Sequence, residues 1–230
     1  MLEGKVPSIP DYSTISRRIN KLDIKIKDDN KSKEFENDYI VIAIDTTGIK
    51  VTNRGQCMRR DKWKIRKKGY LKIHVAEVDV KIKKILSMKV TDEHVHDSKA
   101  LPELVEDVIK SNKITAIGKL FADDGAYEGN DIFECLADNG ILPCIKVRKN
   151  AKVRLKTGHI IRNLSVISQK NDLQGWTDSI VSYGHRWIVE TVFSSIKRMF
   201  DREYVYSVKL KNIIQEMMLK ALLYNKIISI

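Results

Sequence analysis

A continuous apolar run at residues 39–44 limits the possible folds of this chain more than any other segment. The run has the length of a strand and shows no alternation of polar and apolar residues, which is typical of a strand buried on both faces. It ends abruptly in the polar sequence Asp45-Thr-Thr-Gly48. The run therefore favours a sheet that is covered by helices on both sides.

The remaining patterns predict early strands followed by alternating helices and strands. Strands are predicted at about 39–44, 71–78, 84–90, 117–121 and 141–147, and helices at about 97–109, 130–138, 183–200 and 210–228. Asp97 or Ser98 is expected to cap the first of these helices and Asn130 the second, whereas residues 148–182 are expected to be basic and irregular. The order predicts an α/β fold with a mixed sheet, in which an antiparallel meander is followed by parallel strands and helices cover both faces.

The first 36 residues differ in character from the rest, because they are polar and rich in Lys and Asp. We interpret residues 1–36 as an exposed linker with one short helix near Ser13–Leu22, and residues 37–230 as one domain. Leu22, Ile24 and Ile26 alternate with charged residues, so a short edge strand is the alternative.

Acidic residues follow two of the predicted strands directly. Asp45 follows the first strand, and Asp123-Asp124-Gly125 follows the strand at 117–121. Carboxylates at neighbouring strand ends can converge outside the sheet edge, and with Glu190 they would form an oxygen-rich site of the kind that hard cations prefer. Each acidic segment alone could also be a turn with an Asx cap.

A third group of polar residues falls on one stripe of the predicted helix at 183–200. With about 100 degrees per residue, Arg186, Glu190 and Lys197 lie within about 60 degrees of Tyr183. One carboxylate beside cationic and hydroxyl donors suits a site that handles phosphates. The alternative is an exposed Arg186–Glu190 pair on a solvated helix face.

These segments together resemble the DDE transposases of bacterial and archaeal insertion sequences. The four-residue stripe fits the Y-(2)-R-(3)-E-(6)-K signature of that family, and residues 43–48 and 122–127 look like its first-Asp and second-Asp segments. The second alignment favours Asp124 over Asp123 without excluding Asp123. The resemblance covers roughly residues 38–228 and implies an RNase H-like fold.

The resemblance also implies a function. Asp45, Asp124 and Glu190 would bind two Mg²⁺ or Mn²⁺ ions, which activate the nucleophile and stabilise the leaving oxygen during DNA cleavage and strand transfer at insertion-sequence ends. Lys197 and Arg186 would contact DNA phosphate, and Tyr183 would position the DNA or the helix. The expected partner is double-stranded DNA, both transposon ends and target, bound by a homodimer in the cytoplasm near the nucleoid.

Charge and composition agree with a polyanionic partner. The formal net charge is +12, with no secretory signal and no apolar run of membrane-spanning length. We interpret one basic segment between the first two strands as a DNA-tracking connection, with a solvated loop as the alternative. Its cations are Arg59, Arg60, Lys62, Lys64, Arg66, Lys67 and Lys68. Residues 146–156 form a second basic stretch with the same interpretation.

Two further readings of the sequence stay open. His94, His96 and Asp97 could be metal ligands, although a helix cap and polar loop contacts fit them better. Residues 10–18 resemble the tail of an N-terminal DNA-end-binding region in related transposases. Little of this chain comes before that segment. The alternatives to an active transposase are therefore a catalytically silent DNA-binding remnant and an RNase H-like nuclease without strand transfer.

Overall fold

A computed structural model describes residues 10–26, 40–51, 70–78, 82–92, 94–111, 117–122, 125–180, 187–200, 204–207 and 209–230. Its strands are β1 (Ile40–Val51), β2 (Tyr70–Val78), β3 (Ile85–Asp92), β4 (Ile117–Ala122), β5 (Leu142–Ile145) and β6 (Tyr204–Val205). They form one sheet in the order β3-β2-β1-β4-β5, and β6 pairs with the end of β1. The first three strands are antiparallel, whereas β4, β5 and β6 join in parallel.

Helices cover both faces of this sheet. They are α1 (Tyr12–Ile19), α2 (Asp97–Ser111), α3 (Asn130–Asp138), α4 (Ile160–Asn171), α5 (Leu173–Ser179), α6 (Ile188–Met199) and α7 (Leu210–Ile228). Residues of α2 and α3 share one apolar core with the sheet, and residues of α6 and α7 share the other. The predicted α/β fold with a mixed sheet and helices on both faces is thereby confirmed.

The alternation of side chains along β1 connects both cores. Ile42 and Ile44 belong to the core under α2 and α3, and Ile49 and Val51 belong to the core under α6 and α7. Because successive strand residues point to opposite faces, odd-numbered residues of β1 lie on the α6 side. The odd-numbered residues that follow Ile44 can therefore contact α6.

The prediction of an irregular segment at 148–182 is wrong for much of its length. Helices α4 and α5 occupy residues 160–171 and 173–179. Val166 is buried and Trp176 packs near Phe121 and Cys144, so these two helices cover the β5 end of the sheet. The usual apolar stripe is absent here, because α4 buries the polar Arg162 and Gln169 beside Val166 and exposes Ile160, Leu164 and Ile167.

The N-terminal segment contains the predicted helix but not the alternative strand. Helix α1 begins after Asp11, whose carboxylate accepts from Ser13 N at 3.1 Å. Residues 22–26 form no strand; Ile24 N instead donates to Gln215 Oε1 of α7 at 2.8 Å, and Ile26 is buried. The segment at its described end is therefore packed on α7 and is not an exposed linker there.

The helix starts differ from the predicted caps. Helix α2 begins at Asp97, and the acceptor for Ser98 N is the Nδ1 atom of His96 at 3.3 Å. The N-cap of α3 is Gly129, because the side chain of Asn130 is engaged elsewhere, with Thr157 O and His159 N. The predicted stop of α3 is confirmed by the C-cap Asn139 and by Gly140 at φ 68°.

The C-terminal helix matches its predicted bounds. The predicted helix at 183–200 is observed as α6 from Ile188 onward, and residues 181–186 lie outside the described part. No helix within the described ranges is long and apolar enough to cross a membrane.

Candidate functional site

Asp45 lies on β1 on the side of the sheet that α6 covers, as expected from its odd position in the strand. Its carboxylate is half-buried, and Oδ1 accepts a hydrogen bond of 2.7 Å from the backbone N–H of Thr46. This bond holds the carboxylate close to its own strand. Asp45 therefore presents a carboxylate of fixed orientation at the sheet surface.

Helix α6 brings a second carboxylate and a cation to the same place. Val189, Val192 and Ile196 are buried and pack α6 on the sheet, whereas Glu190 is exposed. Lys197 follows Glu190 by seven residues, which is close to two helical turns. Its Nζ donates to Thr47 Oγ1 of β1 at 2.9 Å. The apolar stripe thus fixes which polar stripe of α6 meets β1.

These residues line one open cleft of about 640 Å³ between α6, β1 and β6. The cleft brings together Asp45, Thr46, Thr47, Glu190, Phe193, Ser194, Lys197, Arg198 and Tyr204. Two carboxylates and two cations in one cleft can bind a charged oxyanion together with a cation that neutralises it. Within the described ranges no group of three or more His, Cys, Asp or Glu could hold a metal ion.

The structure brings three of the predicted site residues together, namely Asp45, Glu190 and Lys197. The other predicted site residues lie outside the described part of the chain: Asp124 with its neighbour Asp123, Tyr183, Arg186, Arg59, Arg60, Lys62, Lys64, Arg66, Lys67 and Lys68. The described end of β4 lies beside the site, because Phe121 pairs with Ala43 two residues before Asp45. The acids at 123 and 124 follow that strand end in the sequence.

Sequence reasoning missed Tyr204 as a residue of the cleft. It lies on β6, which pairs with Lys50 at the end of β1, and Lys50 Nζ lies 5.6 Å from the centre of its ring. Lys220 Nζ of α7 donates to Tyr204 O at 2.9 Å. The only signal was the alternation Tyr204-Val-Tyr206, which is too short to identify a strand by itself.

Arg198 and Ser194 were also missed. Both line the cleft from α6, the helix that carries Glu190 and Lys197. Arg198 is exposed and follows Lys197 directly, and Ser194 follows Glu190 by four residues, so it lies one turn further along the same stripe. A wider stripe on the predicted helix would have included both.

The segment with His94, His96 and Asp97 has a structural role in the described part of the chain. Asp97 Oδ1 accepts from Lys72 Nζ at 3.0 Å, and the same ammonium donates to Val95 O at 3.0 Å. His96 Nδ1 is 2.7 Å from Ser98 Oγ. These contacts bind the start of α2 to β2, and they agree with the predicted polar loop contacts.

The second basic stretch forms a loop after β5, and side chains of α4 hold its backbone by hydrogen bonds. Arg162 is buried; its Nε donates to Glu128 O at 2.8 Å and its Nη1 to Lys152 O at 3.1 Å. Asn163 accepts from Arg154 N at 3.0 Å and donates to Arg154 O at 3.1 Å. Six cationic side chains of the loop are exposed, together with Val153 and Leu155: Lys146, Arg148, Lys149, Lys152, Arg154 and Lys156.

The buried thiol of Cys144 takes no part in this site. It lies on β5 against Phe121, and burial raises the pKa of Cys144 to about 11. Burial also raises the pKa of Cys135, with a smaller contribution from Asp138. A thiol with a raised pKa is a poor nucleophile at neutral pH.

Two family models match the chain, and both are described as a transposase DDE domain. One matches residues 36–226 and the other residues 1–54. The longer match includes every strand of the sheet and the cleft residues on β1, α6 and β6. Together with the mixed sheet, it confirms the RNase H-like fold that the sequence resemblance implied.

Proposed function

The chain belongs to the transposase DDE-domain family, and on this premise we propose that it cuts DNA strands at insertion-sequence ends and joins them to a target. Transposition is the function of the family. The metal-dependent cleavage and strand transfer, and the subgroup with the Y-(2)-R-(3)-E-(6)-K signature, are our proposal for this chain.

The observation that carries the proposal is the position of Asp45 and Glu190 in one cleft. They are 145 positions apart in the sequence and come from a strand and a helix, yet both line the same open space. Glu190 is on the exposed side of α6, and Asp45 is on the same face of β1 as the buried Ile49 and Val51. Two carboxylates so arranged match a phosphoryl-transfer site better than a solvated helix face, because a carboxylate on a solvated face has no reason to line the same cleft as Asp45.

The donor set fits a hard divalent cation. Asp45 and Glu190 supply carboxylate oxygens beside the hydroxyl group of Thr47, and Mg²⁺ or Mn²⁺ prefers such oxygen donors. We propose that Asp45, Glu190 and Asp124 hold two of these ions, with Asp123 as the alternative to Asp124. When bound, the ions supply activation of a water or a DNA 3′-hydroxyl and stabilisation of the leaving oxygen.

The cations of α6 would hold the DNA backbone. The ammonium of Lys197 is fixed at β1 by its bond to Thr47, two residues after Asp45, and Arg198 lines the same cleft. A positive charge held beside the carboxylates attracts the phosphate that those carboxylates would otherwise repel. Tyr183 and Arg186 precede α6 in the sequence, and we propose that Arg186 adds a phosphate contact and Tyr183 positions the DNA or the helix.

The DNA would leave the cleft along the basic segment between β1 and β2. Both ends of that connection are in the described sheet, where Lys50 pairs with Tyr70 on one side and with Tyr204 on the other. Since Tyr204 lines the cleft, the connection starts and ends beside it. We propose that the cations of this segment, from Arg59 to Lys68, follow the DNA backbone and displace its counterions.

The loop after β5 would be a second DNA contact. β1, β4 and β5 are parallel, so their carboxyl ends lie at the same edge of the sheet. Neighbouring strands are about 4.8 Å apart, which puts the start of the loop roughly 10 Å from β1. A DNA duplex bound at Asp45 is wide enough to reach it. We expect a homodimer on DNA, because transposition brings two ends together. We also expect the protein in the cytoplasm with the nucleoid, where its DNA is.

The experiment is cleavage of plasmid DNA that carries the element's own flanking sequences, with Mg²⁺ or Mn²⁺. We expect nicked and then joined products from the protein, and neither from Asp45→Asn or Glu190→Gln. Glu134→Gln on α3 is the matched control, because that carboxylate is exposed and outside the cleft. Cleavage without joined products would favour an RNase H-like nuclease. Binding without cleavage in every condition would contradict the proposed activity and favour a silent remnant.

A further inference from the structure

Thr46 and Tyr127 join two distant parts of the chain beside the cleft. Their hydroxyl oxygens, Thr46 Oγ1 and Tyr127 Oη, are 3.1 Å apart, within hydrogen-bond distance. Tyr127 is 1% exposed and belongs to the core under α2 and α3. Thr46 follows Asp45 on β1 and points to the opposite face of the sheet. The bond therefore lies behind the cleft, on the far side of the strand that carries Asp45.

The same residue also orients the carboxylate. Thr46 N donates to Asp45 Oδ1 at 2.7 Å, while Thr46 Oγ1 is engaged with Tyr127. A displacement of Thr46 would move both groups at once. Tyr127 is consequently connected to the Asp45 carboxylate through one residue, without lining the cleft itself.

The contact between Thr46 and Tyr127 is important because Tyr127 follows the acid pair closely in the sequence. Tyr127 ends a single 3₁₀ turn, residues 125–127, that follows the two acids at 123 and 124. On the other side of those acids, Phe121 of β4 pairs with Ala43 of β1. The chain is thus fastened to β1 both before and after the acid pair. The two points of attachment on β1, at 43 and 46, also lie on either side of Asp45.

A second contact holds the turn from outside. The side chain of Arg148 lies against Gly125, so closely that a β-carbon at position 125 would be 2.3 Å from Arg148 Nε. The backbone N–H of Arg148 in turn donates to Glu128 Oε2 at 2.8 Å. The turn after the acid pair is therefore held between a buried hydroxyl contact and the start of the basic loop.

We propose that Tyr127 is a positioning residue, whose hydroxyl contact with Thr46 holds in place the backbone N–H that orients the Asp45 carboxylate in the cleft. The inference rests on the proposed function, since it assumes that the Asp45 carboxylate binds a metal ion. It assigns a role in metal binding to a residue that touches neither metal nor DNA. Packing alone would need only the aromatic ring of Tyr127.

The test uses Mn²⁺ alone, without DNA. Tyr127→Phe keeps the ring and removes the hydroxyl, and Thr46→Val removes the partner hydroxyl while leaving the Thr46 N–H to Asp45. Binding is measured from the loss of the free Mn²⁺ signal in electron paramagnetic resonance. We expect each variant to bind about fivefold more weakly, which is the fold-change equivalent to one neutral hydrogen bond. The double variant should be no weaker than either single variant, because both remove the same contact.

Three comparisons separate this inference from the proposed function and from damage to the fold. Tyr224→Phe removes another buried hydroxyl, on α7, and should leave Mn²⁺ affinity unchanged. Thr46→Ser keeps a hydroxyl and should retain most of the Mn²⁺ affinity. Its comparison with Thr46→Val tests the inference even if Tyr127→Phe is too unstable to measure. Wild-type affinity in both Tyr127→Phe and Thr46→Val, with affinity lost in Asp45→Asn, would overturn the inference and leave the metal site standing. Unchanged affinity in Asp45→Asn would overturn the metal site itself.

Discussion

Lys197 Nζ of α6 donates a 2.9 Å hydrogen bond to Thr47 Oγ1 of β1, and this bond joins the two elements that carry Glu190 and Asp45. An ammonium in the same cleft as two carboxylates reduces their mutual repulsion before any divalent cation binds. The buried stripe of α6 fixes the helix on the sheet, and the Lys197–Thr47 bond fixes one long side chain across the cleft.

Asp45→Asn and Glu190→Gln should each lower the rate of DNA cleavage by more than about a hundredfold. The reason is that loss of a partner behind a metal ligand already costs about 10- to 100-fold, and loss of the ligand itself should cost more. DNA binding, measured by fluorescence anisotropy without divalent ions, should be unchanged or slightly tighter. Weakened binding with intact cleavage would assign these carboxylates to DNA docking instead.

Lys197→Gln should weaken DNA binding and cleavage together, because it removes a charge that would face phosphate. Thr47→Val should have a smaller effect of the same sign, because the ammonium stays and only its fixed position is lost. The measurement is the ratio of cleavage rates for the two variants. Lys226→Gln, on the exposed end of α7, serves as the control for loss of one charge. Equal effects of Lys197→Gln and Lys226→Gln would contradict a local role for Lys197.

The basic loop should contribute to DNA binding in proportion to its charge. Replacing Lys149, Lys152 and Lys156 by Gln should make the plot of log affinity against log salt less steep by about 2.7, since each phosphate contact contributes about 0.9. The equal-charge control replaces Lys209, Lys211 and Lys226, which are exposed on or next to α7. A change of the same size in both triple variants would mean that net charge alone matters.

Arg162 offers a second way to examine that loop. Arg162→Met keeps much of the buried volume but removes the donors to Glu128 O and Lys152 O. Two partly buried carbonyls then lose a hydrogen bond, at a cost of at most about 1–3 kcal/mol each, because water can replace part of it. DNA affinity should fall although Arg162 is itself buried. An unchanged affinity in a folded variant would show that the loop binds DNA without this internal support.

The Cys144 thiol predicts a component of stability that depends on alkaline pH. Its folded pKa, about 11, is above the ordinary 9.0, so only the unfolded chain releases the proton between these values. Stability from this group is complete below pH 9 and is lost as pH rises toward 11. The loss would be about 2 to 3 kcal/mol at 1.36 kcal/mol per pKa unit. Urea unfolding should show a shallower alkaline decline in Cys144→Ala; identical declines would contradict the prediction.

Local periodicity was sufficient to predict the sheet, the layers and α7. Hydrophobic runs and periodic patterns arise where one or both faces of a strand or helix are buried, and residues 40–44 and 210–228 show such patterns plainly. The sequence did not predict α4 and α5, because α4 buries polar side chains and exposes apolar ones, and no residue of α5 is fully buried. The sequence also did not predict β6, because Tyr204 and Val205 pair with β1 in a strand too short to show the alternation of polar and apolar residues.

The site was predictable where side-chain parity and helical spacing determine it. Asp45 lies on the face opposite to Ile44, and Glu190 and Lys197 share a stripe, so both patterns can be read from the sequence. The contributions of Tyr204 and Tyr127 could not be read in this way. Both depend on tertiary contacts between segments more than 80 residues apart, for which one sequence contains no local signal.

The most direct measurement is the position of Mn²⁺ in a crystal of the protein soaked with that ion, located by anomalous scattering. We predict one or two metal peaks in the cleft, bound by Asp45, Glu190 and an acid of the 123–124 segment. Two peaks should be about 4 Å apart. Carboxylates that lie far apart in the crystal, with no metal between them, would contradict the metal-dependent phosphoryl transfer proposed for this cleft.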